Sequence, residues 1–181
     1  MKYKLATSTW GKEEIKAINS VIENDMYSMG EKVSLYEKDF ASYFNSKYAV
    51  MTSSGSTANL IATAALFYTE KNKLKRGDEV IVPAVSWSTT YFPLHQYGLK
   101  LKFVDIDLNT LNYDLEALKS AISEKTKLIM TVNLLGNPND FSVINNLIKN
   151  KDIILIEDNC ESMGAQFDKK QAGTFGVMGT F

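Results

Sequence analysis

The sequence holds a single cysteine, Cys160, and a single histidine, His95, in 181 residues. One cysteine excludes a disulfide within the chain, and together with one histidine it excludes the usual four-ligand structural zinc sites. No window approaches the roughly 18 apolar residues of a membrane span. The N-terminal MKYKLATSTWGKEEIK has no apolar core and does not read as a signal peptide. Basic residues are scattered: 20 Lys and Arg stand against 21 Asp and Glu, for a net charge of −1. The one basic run, Lys71 to Arg76, reads as a solvated helix end and loop. These absences predict a soluble, cytoplasmic protein with no nucleic-acid partner and no membrane partner. Repeats, low-complexity segments and linkers are missing as well. So are a Walker A loop, a G-x-G-x-x-G fingerprint and the G-x-S-x-G elbow of a serine hydrolase.

With 45% hydrophobic residues, the chain has material for a core of one domain or slightly more. Ile15, Ile18, Val21 and Ile22 recur at helical spacing, predicting a helix over 12–24. A second helix is expected over 31–44, with Val33, Tyr36, Phe40 and Tyr43 on one side and Gly30 of YSMG as the stop between the two. From residue 48 short apolar runs alternate with helical stretches. Strands are expected at 48–53, 79–84, 101–106, 127–135 and 152–158, and helices near 56–70, 88–97, 114–122 and 140–149. Runs such as Val80-Ile81-Val82 and Ile153 to Ile156 suit strands buried on both faces of a parallel sheet. The expectation is therefore an α/β layered fold with right-handed crossovers, divided into a helical segment 1–47 and an α/β unit 48–181.

In such sheets ligands bind beyond the carboxyl ends of the strands. TSSGSTANL (52–60) places a glycine and hydroxyl residues where a strand gives way to a helix. Ser54 or Ser56 can cap that helix, and its free N–H groups suit an anion, although an ordinary capped helix has the same pattern. Trp87, in VPAVSWSTTYF, is either a core residue or a flat face for a planar ligand. In IEDNCESMGA a buried strand is followed by Glu157, Asp158, Cys160 and Glu161. A carboxylate buried there needs a cation or hydrogen-bond donors, and a pyridinium nitrogen is one such cation. Capping of the next turn by Asp158 and Glu161 is the competing reading. Cys160 has no evident base beside it and reads as a small buried residue, and His95 takes no role.

Seven stretches, in order, carry a family likeness: YSMG, SSGSTANL, GDEVIVPAVSWSTTYFPL, FVDIDLNTLNYD, VNLLGNP, IEDNCESMGA and AGTFGVMGTF. The chain resembles the N-terminal part of the pyridoxal-phosphate nucleotide-sugar aminotransferases of the DegT/StrS type. Its VNLLGNP and EDNCESMGA are nearest in wording to the subgroup of GDP-4-keto-6-deoxymannose 3-dehydratases of colitose and lipopolysaccharide biosynthesis. The resemblance implies part of the aspartate-aminotransferase large domain, the type I fold of pyridoxal-phosphate transferases. It implies pyridoxal 5′-phosphate and pyridoxamine 5′-phosphate as cofactor forms, glutamate as amino donor, a nucleotide-linked 4-keto-6-deoxy sugar as substrate, and a homodimer. Backbone at Gly55 and Ser56 would hold the phosphate, Trp87 would stack on the ring, Asp158 would pair with its nitrogen, and Glu161 would lie near its hydroxyl. Ser86 and Asn133 would line the site, while Glu157 and Cys160 would point elsewhere. The family's catalytic lysine, or the dehydratases' histidine, would lie beyond Phe181, so no catalytic residue is assigned here. The strand at 48–53 would likewise pair with a later segment. Residues 1–181 alone are therefore expected to show no turnover and weak cofactor binding at most. A 4-aminotransferase and a non-catalytic binding or dimerisation fragment are the alternatives.

Overall fold

The computed structural model describes residues 7–71 and 73–181. Residues 1–6, with which the expected segment 1–47 begins, and Asn72 of the basic run lie outside the described residues. Helix α1 (Lys12–Glu23) starts at Gly11, whose N–H donates to Glu14 Oε2 at 2.7 Å, and Glu13 and Glu14 place negative charge at the positive end of the helix. Its apolar stripe is largely uncovered by the described residues: Ile15, Ile18 and Ile22 are 43–55% exposed. Helix α2 (Glu31–Tyr43) takes Gly30 as its N-cap, so that glycine opens a helix rather than stopping one. The buried side of α2 is also rotated from the expected face. Tyr36 and Tyr43 are half-exposed, whereas Ala41 and Phe44 are buried and the Phe40 and Phe44 rings lie 5.2 and 4.5 Å from that of Phe181.

Five strands form one parallel sheet: β1 (Glu79–Pro83), β2 (Lys100–Val104), β3 (Thr126–Val132), β4 (Ile154–Asp158) and β7 (Met178–Thr180), in the order β2-β1-β3-β4-β7. A small hairpin, β5 (Gln166–Phe167) and β6 (Lys170–Gln171), leads into β7. Helices α3 (Gly55–Leu66) and α4 (Ser88–Gln96) cover one face of the sheet, and α5 (Leu115–Ala121) and α6 (Phe141–Ile148) the other. Side chains alternate between these layers, as strand geometry requires. Val80, Val82, Leu128, Met130, Ile154 and Ile156 join one core, while Ile81, Ile129 and Leu155 join the other with Phe141 and Ile144. Both faces are covered, which is why the strands read as continuous apolar runs.

Residues 48–53 are not a strand. They run without ladder partners among the described residues, with Tyr48 and Val50 at 75% and 72% exposure, and Met51 gives its N–H to Glu37 Oε1 at 2.8 Å instead. The outer edge of β7 also has no neighbour among the described residues. Between these two unpaired edges lies a groove of about 680 Å³, floored by Ala58, Ile61 and Ala62 of α3. Two strands end earlier than expected. Asp105 Oδ1 takes the N–H of Ile106 at 2.8 Å and turns the chain after β2. After β3 a 3-10 turn at Leu134–Gly136 puts Leu135 at φ 53°.

Candidate functional site

Strands β1, β3, β4 and β7 end on one edge, so the segments that follow them converge there with the starts of α3 and α4. The alternation of β4 carries through its acidic end. Leu155 and Glu157 face the α5–α6 layer, and Ile156 and Asp158 face α3 and α4. Asp158 is 3% exposed. Its Oδ2 accepts from Asn59 Nδ2 at 2.9 Å and from the Thr90 hydroxyl at 2.8 Å; among the described residues its Oδ1 accepts the Cys160 N–H alone, at 3.2 Å. All three donors are neutral, and Asp158 takes part in none of the ion pairs among the described residues. A buried carboxylate held by neutral donors, with one oxygen scarcely engaged, fits a cationic N–H brought by a ligand.

Each donor has its own support. Asn59 stands one turn after Gly55 on α3, and its Nδ2 also faces the Thr89 carbonyl at 3.4 Å. That carbonyl lacks its usual helical donor because Pro93, four residues further along α4, has no N–H to give it. The Thr90 hydroxyl is shared with Ser86 Oγ at 2.8 Å. Thr180, at the end of β7, donates its hydroxyl to Asn59 Oδ1 at 2.6 Å. A carboxylate only accepts, so Asn59 must turn its nitrogen to Asp158 and its oxygen to Thr180.

Of the two expected caps, Ser54 is the one that closes the start of α3. Its Oγ accepts the Thr57 N–H at 3.2 Å, and Thr57 Oγ1 accepts the Ser54 N–H at 2.9 Å. Gly55 and Ser56 are the first two helical residues, and their N–H groups have no acceptor among the described residues. Trp87 is no core residue, being 73% exposed at the N-cap position of α4. Its carbonyl accepts the Thr90 N–H at 3.0 Å, which carries the indole next to the residue that binds Asp158. Glu161 is exposed and bridges two loops, its Oε2 accepting the Leu135 N–H at 2.8 Å. Asn133 lies beneath the edge rather than lining it. It is 1% exposed, gives Nδ2 to Asn159 Oδ1 at 2.7 Å, and takes the Asn139 N–H on Oδ1 at 2.9 Å.

Cys160 is exposed, against the expectation of a buried residue. Its thiol is nevertheless partly desolvated and beside Asp158, which together push it up to about 12. It stays neutral near pH 7 and offers no thiolate nucleophile. Glu157 is fully buried on the opposite face of β4. Its Oε2 accepts the Gly173 N–H at 2.6 Å, and its Oε1 those of Phe175 and Gly176 at 2.6 and 2.7 Å. Burial raises its carboxyl above the usual value, opposed by those three N–H groups. The folded chain then holds this proton more tightly than the unfolded chain does. The resulting stability is complete below the unfolded value of 4.5 and is lost as pH rises through the folded one. Urea midpoints of wild type and Glu157→Gln should therefore differ most in favour of wild type near about pH 4, the gap narrowing toward about pH 7. A gap that widens with pH contradicts burial as the dominant cause.

The structure thus brings Gly55, Ser56, Trp87 and Asp158 to one edge, with Glu161 one turn beyond Asp158. Sequence reasoning missed Asn59, Thr90 and Thr180. The first two stand four residues after Gly55 and Ser86, a helical spacing that was available as a signal; Thr180 had none.

Against known proteins, the profile of the DegT/DnrJ/EryC1/StrS aminotransferase family matches residues 8–181. A GDP-4-keto-6-deoxy-D-mannose 3-dehydratase of Yersinia pseudotuberculosis is 66% identical over all 181 residues, which span 46% of its length. A crystal structure of a histidine-to-asparagine variant of GDP-4-keto-6-deoxymannose-3-dehydratase with bound GDP-perosamine superposes with a TM-score of 0.96 at 66% identity, covering 98% of this chain and 46% of that one. Another crystal structure of that dehydratase, with a trapped PLP-glutamate geminal diamine, gives 0.95 at 65% identity, covering 97% of this chain and 46% of that one. The chain therefore corresponds to a little under half the length of these relatives.

Proposed function

The chain belongs to the DegT/DnrJ/EryC1/StrS aminotransferase family, and from that premise we propose that its strand ends form the cofactor-facing wall of a pyridoxal-phosphate nucleotide-sugar 3-dehydratase. The observation that carries this reading is Asp158, a buried carboxylate with two neutral donors on one oxygen and a single longer contact, the Cys160 N–H at 3.2 Å, on the other. Its job is to keep a proton on the ring nitrogen of pyridoxal phosphate. When bound, that cofactor supplies the electron sink for breaking bonds at the carbon that carries its amine.

The other residues bind and orient. The N–H groups of Gly55 and Ser56 would hold the phosphate at the positive end of α3. The exposed indole of Trp87 would stack on the ring, and Glu161, anchored on Leu135, would lie near the ring's hydroxyl. Ser86 reaches the same place through Thr90. The 66% identity to a 3-dehydratase favours loss of the sugar's 3-hydroxyl over transfer of an amine to C4 as the reaction of the whole protein.

Two measurements test this. With Trp10 replaced by Phe so that only Trp87 reports, pyridoxal 5′-phosphate should quench the chain's tryptophan fluorescence, with saturation below a few millimolar. A folded whole protein whose tryptophan emission does not change would remove the cofactor reading. Product analysis of the polypeptide with pyridoxamine phosphate and GDP-4-keto-6-deoxymannose should give, in the whole protein, a 3-deoxy sugar and ammonia; an amino sugar instead identifies a 4-aminotransferase.

A further inference from the structure

Glu157 precedes the residue assigned to the cofactor, yet its side chain faces the other way. We propose that Glu157 is the positioning residue of this site: it clamps residues 173–176 so that β7 delivers the Thr180 hydroxyl to Asn59 and thereby orients the donor held against Asp158. The orienting chain stands on hydrogen bonds within the fold; what Asp158 is oriented for rests on the function proposed above.

The first link is the clamp. A carboxylate sealed from solvent needs donors, and three backbone N–H groups from one short loop converge on it at 2.6–2.7 Å. Phe175, between them, stacks on Phe141 of α6 at 4.1 Å, so the loop is also held from outside. The second link is backbone contact. Gly173 sits at φ 90°, its Cβ position taken by the Phe181 ring and Asn159, and a Cβ on Gly176 or Gly179 would enter the backbone of Leu155 or Gly173. The loop and β7 therefore move as one body. The third link is the register of β7 on β4, which sets Gly179 beside Glu157 and Thr180 beside Asp158. Thr180 then has one acceptor within 3.0 Å, Asn59 Oδ1 at 2.6 Å. If Thr180 shifts, Asn59 Oδ1 loses this donor, and the amide is held only from its nitrogen side, by Asp158 at 2.9 Å and the Thr89 carbonyl at 3.4 Å.

The test uses NMR of the whole chain without cofactor, followed by titration with pyridoxal 5′-phosphate. In Glu157→Gln the N–H signals of Gly173, Phe175 and Gly176 should move upfield, and the Asn59 side-chain NH₂ pair should move with them. In Thr180→Val the Asn59 pair should shift in the same way while the three loop signals stay in place, and Thr180→Ser should restore it. Both Glu157→Gln and Thr180→Val should weaken pyridoxal phosphate by about tenfold, as loss of one oriented donor implies. Loop signals that move while Asn59 stays as in wild type make Glu157 a loop anchor only and overturn the proposal, as does a Thr180→Val chain with Asn59 unchanged. Should Glu157→Gln not fold, scalar couplings across the hydrogen bonds from the three N–H groups to the Glu157 carboxyl carbon, measured in wild type, decide the first link. A whole protein that binds no pyridoxal phosphate refutes the reading of the site, whereas the cofactor-free signals alone decide the orienting chain.

Discussion

Gly179→Ala should cost the chain roughly 3 kcal/mol, the upper end of what overpacking a tight core costs. A Cβ at this position would fall on the Cα and carbonyl of Gly173. Gly173 has nowhere to go, because its N–H is held by Glu157 at 2.6 Å and the Phe181 ring fills the space above its Cα. Close packing normally relieves a clash by small shifts, but here the neighbour is backbone, fixed on both sides. Gly77→Ala is the control. Gly77 has φ 91° but nothing within 4 Å of its Cβ position, so it isolates the conformational cost, about 1 kcal/mol. Urea unfolding of the three chains gives the comparison. Equal midpoints for the two variants would show that the contact between Gly173 and Gly179 yields easily.

Asp158→Asn should weaken pyridoxal 5′-phosphate by about 30-fold, in the range set by loss of one charge-assisted hydrogen bond. The amide keeps the size of the side chain and can still accept from Asn59 and Thr90 through its oxygen. What it cannot do is stabilise a protonated ring nitrogen. Inorganic phosphate separates the two halves of the site, since it should bind the start of α3 equally in wild type and variant. Fluorescence titration of Trp87 with pyridoxal phosphate, repeated against competing phosphate, reads both affinities. A variant within twofold of wild type would mean that Asp158 does not meet the ring nitrogen.

Much of this architecture was legible from residue patterns. Four of the expected strands and all six helices form, because apolar runs flanked by helical periodicity leave few other ways to bury them. The acids after Ile156 pointed to the site because a carboxylate at the end of a buried strand demands an explanation. The rest depended on what lies beside what. Residues 48–53 have the composition of a strand, but a strand also needs a neighbour, and composition does not supply one. Strand β7 is three residues with a glycine in the middle and carries no apolar run of its own; it exists because the Glu157 clamp and β4 hold it. Asn59 and Thr90 are neutral residues 99 and 68 positions from Asp158, and their helical spacing from Gly55 and Ser86 marks a shared face without naming the partner; Thr180, 121 positions from Asn59, has no local signal at all. The buried face of α2 differs from the expected one because its partner, Phe181, sits at the other end of the chain.

Two adjacent carboxylates of β4 serve opposite sides of the sheet, one the loop 173–176 and the other the ligand edge. Their roles are assigned by parity alone. A one-residue insertion or deletion between Ile154 and Ile156 would turn every later side chain through half a turn, sending Asp158 into the glycine loop and a different residue to the edge. Substitutions along β4 can then be absorbed one at a time, but changes in its length cannot. Across relatives of this chain, the spacing from the start of β4 to Asp158 should vary less than the identity of the residues that fill it.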